Sequence, residues 1–254
     1  MKSRKRLLPG ARWSAVNQLL DYFPATPGTL VSPFFSGGYL ELALASRGWR
    51  VLGYSGSESL VDFWQQALTN PHRLADEAAK HLTADRLQAE GDRLPTALQR
   101  AAAHYARAAC SGTADQRLMA ARIERLRRFA APNVWVARAD FRESIGGNRN
   151  GLLFCDPQHR TAHRRYRGDL QAVDHEGLAD LLQNRQRWVL CCEDGPGTRY
   201  LYGGRRIVPL VRSNDIVVVS DDLTAPSALC AEQLHDPMHE ALEEVRREMT
   251  AAAA

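Results

Sequence analysis

Short apolar runs alternate with segments of helical periodicity along most of the chain. Such runs lie at residues 29–31, 50–54, 133–136, 152–155 and 187–192, and two more at 206–211 and 215–219 form a predicted closing β pair. The run at 152–155 contains no charged position, which is typical of a strand buried on both faces of a parallel sheet. The alternation predicts an α/β fold with a doubly wound, mostly parallel sheet.

Residues 72–131 interrupt this alternation. They are rich in Ala, Leu and Arg and contain no strand pattern, so we interpret them as a helical insertion. The α/β domain that receives the insertion is predicted to comprise residues 1–71 and 132–222. Residues 223–254 then form a predicted C-terminal helix followed by an alanine tail.

Composition and charge narrow the classes of function. The chain has 254 residues, of which 44% are hydrophobic and 24% charged, values that are ordinary for a globular domain. The net charge is +4 and comes almost entirely from Arg, which favours bidentate contacts with the phosphates of a polyanionic partner. The sequence contains no apolar stretch of membrane-spanning length and no pattern typical of a signal peptide. The chain has five cysteines, an odd number, without a C-x-x-C pair. This pattern favours a reducing, cytoplasmic setting and argues against a zinc site.

The strand at 152–155 ends in the sharpest candidate for chemistry. Asp156 follows it, and Pro157 cannot continue the hydrogen-bond ladder. Ligands of open α/β sheets bind at this carboxyl edge. The Asp156 carboxylate and the Pro157 carbonyl offer two adjacent acceptors, which suit an amino group with two N–H donors. The alternative is that Asp156 only caps the following turn.

The first two strands lead into segments typical of nucleotide binding. The strand at 29–31 runs into Gly37 and Gly38 before a helix, and glycine lets a ligand approach the backbone closely. A plain tight turn is the alternative. Ser55 ends the second strand, where doubly wound nucleotide folds often have an acid that binds the ribose hydroxyls. Glu58 follows three residues later and is either such an acid or a helix-start carboxylate.

The third strand is followed by Asp140 and Phe141. A carboxylate next to an aromatic ring suits a purine, because the acid accepts from the exocyclic amine while the ring packs on the base. This pair is therefore a candidate for binding an adenine group.

Arginine is concentrated in two segments, at residues 122–128 and 160–167. A charge run is often only the solvated face of a helix. The alternative is contact with nucleic-acid phosphates, which the density of Arg after Asp156 favours. The candidate DNA-binding residues are Arg122, Arg125, Arg128, Arg160, Arg164 and Arg165.

These motifs, in this order, resemble those of the Dam-type adenine-specific DNA methyltransferases over about residues 6–221. Residues 8–13 resemble the opening segment of the family and include Trp13. Residues 33–38 resemble its cofactor loop, Asp140 and Phe141 its adenine-binding pair, and residues 156–159 its catalytic Asp-Pro-Pro-Tyr.

The resemblance implies S-adenosylmethionine as cofactor and methyl transfer to the exocyclic amino group of adenine in DNA. It implies that Asp156 and Pro157 hold this amino group, and that His159 stacks on the target base after the base has been flipped out of the duplex. The implied cofactor-binding residues are Trp13, Phe34, Ser36, Gly37, Gly38, Ser55, Asp140 and Phe141.

Several positions differ from the family pattern. Ser32 stands where an acid is expected before the cofactor loop, Ser55 stands where the ribose-binding acid is expected, and Ser36 replaces a loop glycine. Gln158 and His159 replace the second Pro and the Tyr of the catalytic segment. Two alternatives therefore accompany the methyltransferase interpretation: a transferase of this fold with another cofactor or base, and a non-catalytic DNA-binding relative.

Overall fold

The computed structural model describes residues 15–81, 94–110, 116–127, 130–157, 174–211 and 213–223. The strands are β1 (Thr29–Ser32), β2 (Arg50–Ser55), β3 (Val134–Arg138), β4 (Leu152–Cys155), β5 (Trp188–Glu193), β6 (Arg206–Pro209) and β7 (Asp215–Val219). The helices are α1 (Val16–Leu20), α2 (Tyr39–Ala45), α3 (Glu58–Thr69), α4 (Pro71–His81), α5 (Ala97–Cys110), α6 (Gln116–Arg127), α7 (Phe141–Gly147), α8 (His175–Gln183) and α9 (Pro196–Leu201). The predicted C-terminal helix lies outside the described residues.

All seven strands join one sheet in the order β3-β2-β1-β4-β5-β7-β6. Strands β1 to β5 run parallel, and β7 lies antiparallel between β5 and β6. The first five strands follow the order of doubly wound nucleotide-binding sheets. The predicted α/β fold with a mostly parallel sheet is confirmed, and so is the closing β pair.

Both faces of the sheet are covered by helices, as the continuous apolar runs predicted. Because successive side chains of a strand point to opposite faces, Leu152 and Phe154 of β4 pack in one core with residues of α1 to α6. Leu153 and Cys155 pack in a second core with residues of α7 and α8. All four side chains are buried, so β4 lies at the centre of the domain.

The helices between β2 and β3 pack on α3 and continue the first core. The ring of Phe63 on α3 stacks on Tyr105 of α5, with ring centroids 5.6 Å apart. The Tyr105 hydroxyl donates to the Arg122 carbonyl of α6 at 2.9 Å. Arg100 of α5 pairs with Asp62 of α3 at 2.6 Å. The helical character predicted for this region is confirmed in α4, α5 and α6, and these helices share their core with the sheet.

Two short helices were not predicted from the sequence. Helix α7 begins directly after Asp140, which caps it by accepting from the Arg142 amide at 2.8 Å. Its buried apolar positions are Phe141 and Ile145, too few to give a clear helical period. Helix α9 starts with Pro196 in the segment predicted as a turn; Pro is favoured at the first helical position because its fixed φ suits the helix.

The buried cysteines contribute to packing. Cys155, Cys191 and Cys192 are buried free thiols, which confirms the core role expected of the adjacent pair in β5. Within the part of the chain that the structure describes, the helices lack the length and apolar character needed to cross a membrane.

Candidate functional site

The strand order reverses between β1 and β4. The helix that follows β1, α2, packs on one face of the sheet, and α8, which follows β4 along the chain, packs on the other. Doubly wound proteins bind their ligands in the crevice that this divergence opens at the carboxyl ends of the strands. The structure has a pocket there, and its lining includes Phe34, Ser36, Gly37, Gly38, Glu41 and Asp156.

The predicted cofactor loop forms one wall of this pocket and is held from behind. The Phe35 amide donates to the Tyr54 carbonyl of β2 at 2.8 Å, and the Trp64 indole donates to the Ser36 carbonyl at 2.9 Å. Gly38 has a φ of 69°, a left-handed conformation that glycine adopts without strain. A Cβ on Gly38 would lie 3.0 Å from both Phe35 and Trp64, so this position requires glycine for its conformation and for its space.

Gly53 of β2 is a supporting residue that the sequence reasoning missed. A Cβ at this position would lie 2.5 Å from the ring of Phe35. Phe35 is a buried residue of the loop, and its ring contacts Trp64 edge-on with ring centroids 5.0 Å apart. The absence of a side chain at Gly53 therefore leaves space for the Phe35 ring, which anchors the loop. An isolated glycine inside a strand pattern is the signal that could have indicated this close approach.

The adenine-binding candidates meet at the ends of β2 and β3. Phe34 from the loop stacks on Phe141, with ring centroids 5.4 Å apart. Ser55 ends β2, and its carbonyl accepts from the Ala139 amide just before Asp140. Asp140 caps α7 with one oxygen while its side chain remains 44% exposed. Four of the predicted cofactor residues, Phe34, Ser55, Asp140 and Phe141, therefore lie at one edge of the sheet.

Glu58 has partners that fit the helix-start interpretation. It is the first residue of α3, which Ser57 caps. Its carboxylate lies 3.4 Å from Arg100 and 3.3 Å from Arg138. Two guanidinium groups therefore engage Glu58, whereas Asp140 has one such neighbour, Arg142 at 3.6 Å.

We expect Asp140→Ala to weaken S-adenosylmethionine binding by about ten- to hundredfold, and Glu58→Ala to change it by less than about threefold. The reason is that Asp140 follows β3 at the sheet edge with one longer arginine contact, to Arg142 at 3.6 Å, whereas Glu58 is held by two closer ones, Arg100 and Arg138. Titration calorimetry on the two variants measures the difference.

Asp140→Asn separates binding from the capping of α7. Asn caps a helix as well as Asp does but removes the charge, so this variant should keep the thermal stability of the wild type and still bind the cofactor weakly. A larger loss for Glu58→Ala than for Asp140→Ala would identify Glu58 as the main cofactor carboxylate.

Asp156 and Pro157 end β4 at the floor of the crevice. Asp156 is half-buried and Pro157 buried. Burial and then the Asp156 charge raise the pKa of the neighbouring Cys155 thiol far above its ordinary value. This thiol therefore stays protonated and adds no charge at the strand end.

Glu41 is the functional candidate that sequence reasoning missed altogether. It lies in the first turn of α2, is only 4% exposed and lines the pocket beside Asp156. The Ser32 hydroxyl donates to its Oε1 at 2.7 Å. Burial in the first place, with a further contribution from the Asp156 charge, raises the pKa of Glu41 from 4.5 to about 7. The signal in the sequence was an acid spaced three and four residues from Leu44 and Ala45, on the buried face of a helix.

Of the six predicted DNA-binding arginines, the structure describes the side chain of Arg122. Arg122 is 4% exposed, so the prediction that it contacts DNA from the surface of α6 is wrong; the helix turns this position into the core with Ile123 and Leu126. Arg127 on the same helix pairs with Asp76 at 2.8 Å and with Glu124 at 3.2 Å, as on an ordinary solvated face. The side chain of Arg125 lies outside the described part of the structure, as do Trp13, Arg128, His159, Arg160, Arg164 and Arg165.

Within the described residues, no three side chains of His, Cys, Asp or Glu are grouped so that they could hold a metal ion.

The strand order and the pocket lining together define a doubly wound α/β protein with an acidic crevice at its switch point. No protein-family model matches this chain, and no curated protein sequence matches it either.

Proposed function

We propose that this protein is a DNA methyltransferase that transfers the methyl group of S-adenosylmethionine to the exocyclic amino group of adenine. The observation that supports this most is the meeting of two sequence motifs in one pocket. The glycine loop after β1 and Asp156 after β4 both line it, although more than a hundred residues separate them in the sequence.

The residues present fit the cofactor. The loop wall contains Gly37 and Gly38, which both line the pocket, and glycine lets a ligand approach the backbone closely. The half-exposed carboxylate of Asp140 offers an acceptor for the adenine of the cofactor. The partly exposed ring of Phe34, which lines the pocket, offers an apolar contact, and the buried Phe141 supports it from behind. Glu41 and Asp156 add negative charge on the side where a cationic methyl donor would lie. The chemistry that S-adenosylmethionine supplies when bound is an electrophilic methyl group.

Asp156 and the Pro157 carbonyl would act on the acceptor base. The amino lone pair of adenine is conjugated with the ring and is therefore a poor nucleophile. Two acceptors at the end of β4 would bind both N–H groups, localise the lone pair and orient it toward the donor. As the N–CH3 bond forms, the S–CH3 bond of the donor would break to leave neutral S-adenosylhomocysteine, and the surplus amino proton would pass to the Asp156 carboxylate that already accepts it. This mechanism needs placement more than a strong base, and a half-buried carboxylate at a strand end provides it.

The target base would reach this pocket only after leaving the duplex. His159, three residues after Asp156, is the proposed stacking partner of the flipped base, and Arg160, Arg164 and Arg165 follow at once. A dense arginine segment directly after the catalytic motif suits contacts with the DNA backbone beside an extruded nucleotide.

The sheet adds a fold-level analogy in favour of this proposal. The first five strands follow the order of doubly wound nucleotide-binding sheets, which suits a cofactor that contains adenosine. Fold alone does not specify function, so this analogy supports the class, and the proposal of adenine as target rests on Asp156 and Pro157.

The test is transfer of an isotope-labelled methyl group from S-adenosylmethionine to unmethylated DNA, followed by digestion and mass spectrometry of the nucleosides. We expect labelled N6-methyldeoxyadenosine. Label on cytosine would instead indicate an altered target base, and DNA binding with no label in any nucleoside would indicate the non-catalytic relative.

A further inference from the structure

Glu41 is a buried carboxylate that faces the proposed donor site without a cation to balance it. In the described parts of the chain, no Lys or Arg lies within ion-pair distance of Glu41, and its hydrogen-bond partner is the uncharged Ser32 hydroxyl. The other charged group that acts on it is Asp156, which is also an acid. Two acids in one pocket repel each other, so this arrangement suits a site that a cationic ligand completes.

We propose that Glu41, oriented by Ser32, binds the ammonium group in the amino-acid portion of the methyl donor. This inference rests on the proposed function and deepens it, because it assigns a residue to one part of the cofactor. A carboxylate that is already buried and oriented gains more from a cationic hydrogen-bond donor than an exposed carboxylate does.

The geometry also explains why Ser32 stands where the resemblance implies an acid. The first turn of α2 brings the Glu41 carboxylate back over the end of β1, to 2.7 Å from the Ser32 hydroxyl. The carboxylate therefore comes from the helix, and the strand position provides the group that orients it. An acid at both positions would place two charges at hydrogen-bond distance, which the small neutral Ser32 avoids.

Only a ligand that contains the ammonium group should depend on Glu41. S-adenosylhomocysteine has this group, whereas 5′-methylthioadenosine lacks the amino-acid portion and keeps the adenosine part. The two compounds are therefore a matched pair of probes for the ammonium site, and both are neutral at sulfur.

The experiment is titration calorimetry of both probes with the full chain and with Glu41→Gln, Ser32→Ala and Glu77→Gln. Glu41→Gln should lower the affinity for S-adenosylhomocysteine by about ten- to hundredfold and leave the affinity for 5′-methylthioadenosine within about twofold. Ser32→Ala should show the same selectivity with a smaller loss. Glu77 on α4 pairs with Lys80 and is the control, for which no change is expected.

Glu41→Gln conserves the shape and the hydrogen bond with Ser32, so a thermal unfolding curve suffices to confirm that it folds. Equal losses for both probes, or no loss for either, would overturn the assignment of Glu41 while the proposed function stands. Selective loss in a protein that methylates no DNA would support the ammonium site and overturn the proposed function. Failure of the wild-type chain to bind either probe would overturn both.

Discussion

Replacing Asp156 by Ala is expected to slow methyl transfer by about 10²- to 10⁴-fold while DNA affinity changes by less than about threefold. The carboxylate ends β4 and lines the pocket, and without it one of the two acceptors for the adenine amino group is lost. The orientation of the lone pair then depends on the Pro157 carbonyl alone. Transfer is measured under single-turnover conditions, and DNA affinity by fluorescence anisotropy.

Asp180→Ala is the matched control, because Asp180 is an exposed acid on α8 and its removal should leave the transfer rate unchanged. The DNA affinity of Asp156→Ala also separates a loss of catalysis from a change in the electrostatic repulsion of DNA. If removal of negative charge were what mattered, DNA affinity would rise in Asp156→Ala, since a carboxylate repels the phosphate backbone. Transfer by Asp156→Ala at the wild-type rate would show that the catalytic assignment is wrong.

Replacing Glu41 by Gln is expected to stabilise the free protein at neutral and alkaline pH. The pKa of Glu41 is raised from 4.5 to about 7 in the folded state, chiefly by burial. Between these values the folded state binds a proton that the unfolded state releases, so the contribution of this group to stability is present below pH 4.5 and is lost as the pH rises toward 7. The total loss is about 3 kcal/mol.

Urea unfolding of the wild type and of Glu41→Gln at pH values between about 5 and 8 measures this effect. The stability of Glu41→Gln relative to the wild type should rise by roughly 2 to 3 kcal/mol over this range and stay constant at higher pH. Parallel curves for the two proteins would contradict the raised pKa. A saturating cationic ligand should reduce the difference, because binding to the charged carboxylate favours its ionised form.

Substitutions of Asp156 and Glu41 are expected to have different effects. Asp156→Ala should remove activity, whereas Glu41→Gln should increase the stability of the free protein at the expense of ligand affinity. A buried charge that destabilises the free fold is typical of a group positioned for a ligand. The opposite effects of these variants can be measured on the same purified proteins.

The sequence by itself was sufficient for the strands and for most of the helices. Continuous apolar runs such as Leu152 to Cys155 are a local signal of strands buried on both faces, and the structure confirms them. Gly37 and Gly38 after β1, and Asp156 after β4, could be located because the carboxyl ends of parallel strands lie at one edge of the sheet.

What only the tertiary structure decided was which side chains are buried and what they meet. The burial of Glu41 depends on how α2 packs over β1, and its partner Ser32 lies nine residues away along the chain. Arg122 belongs to a run that reads as a charged surface, yet the packing of α6 turns it inward. Gly53 is needed because Phe35 from another segment occupies the space of a side chain. Local periodicity depends on neighbours within a few residues, whereas burial, pKa and steric fit depend on segments that only the folded chain brings together.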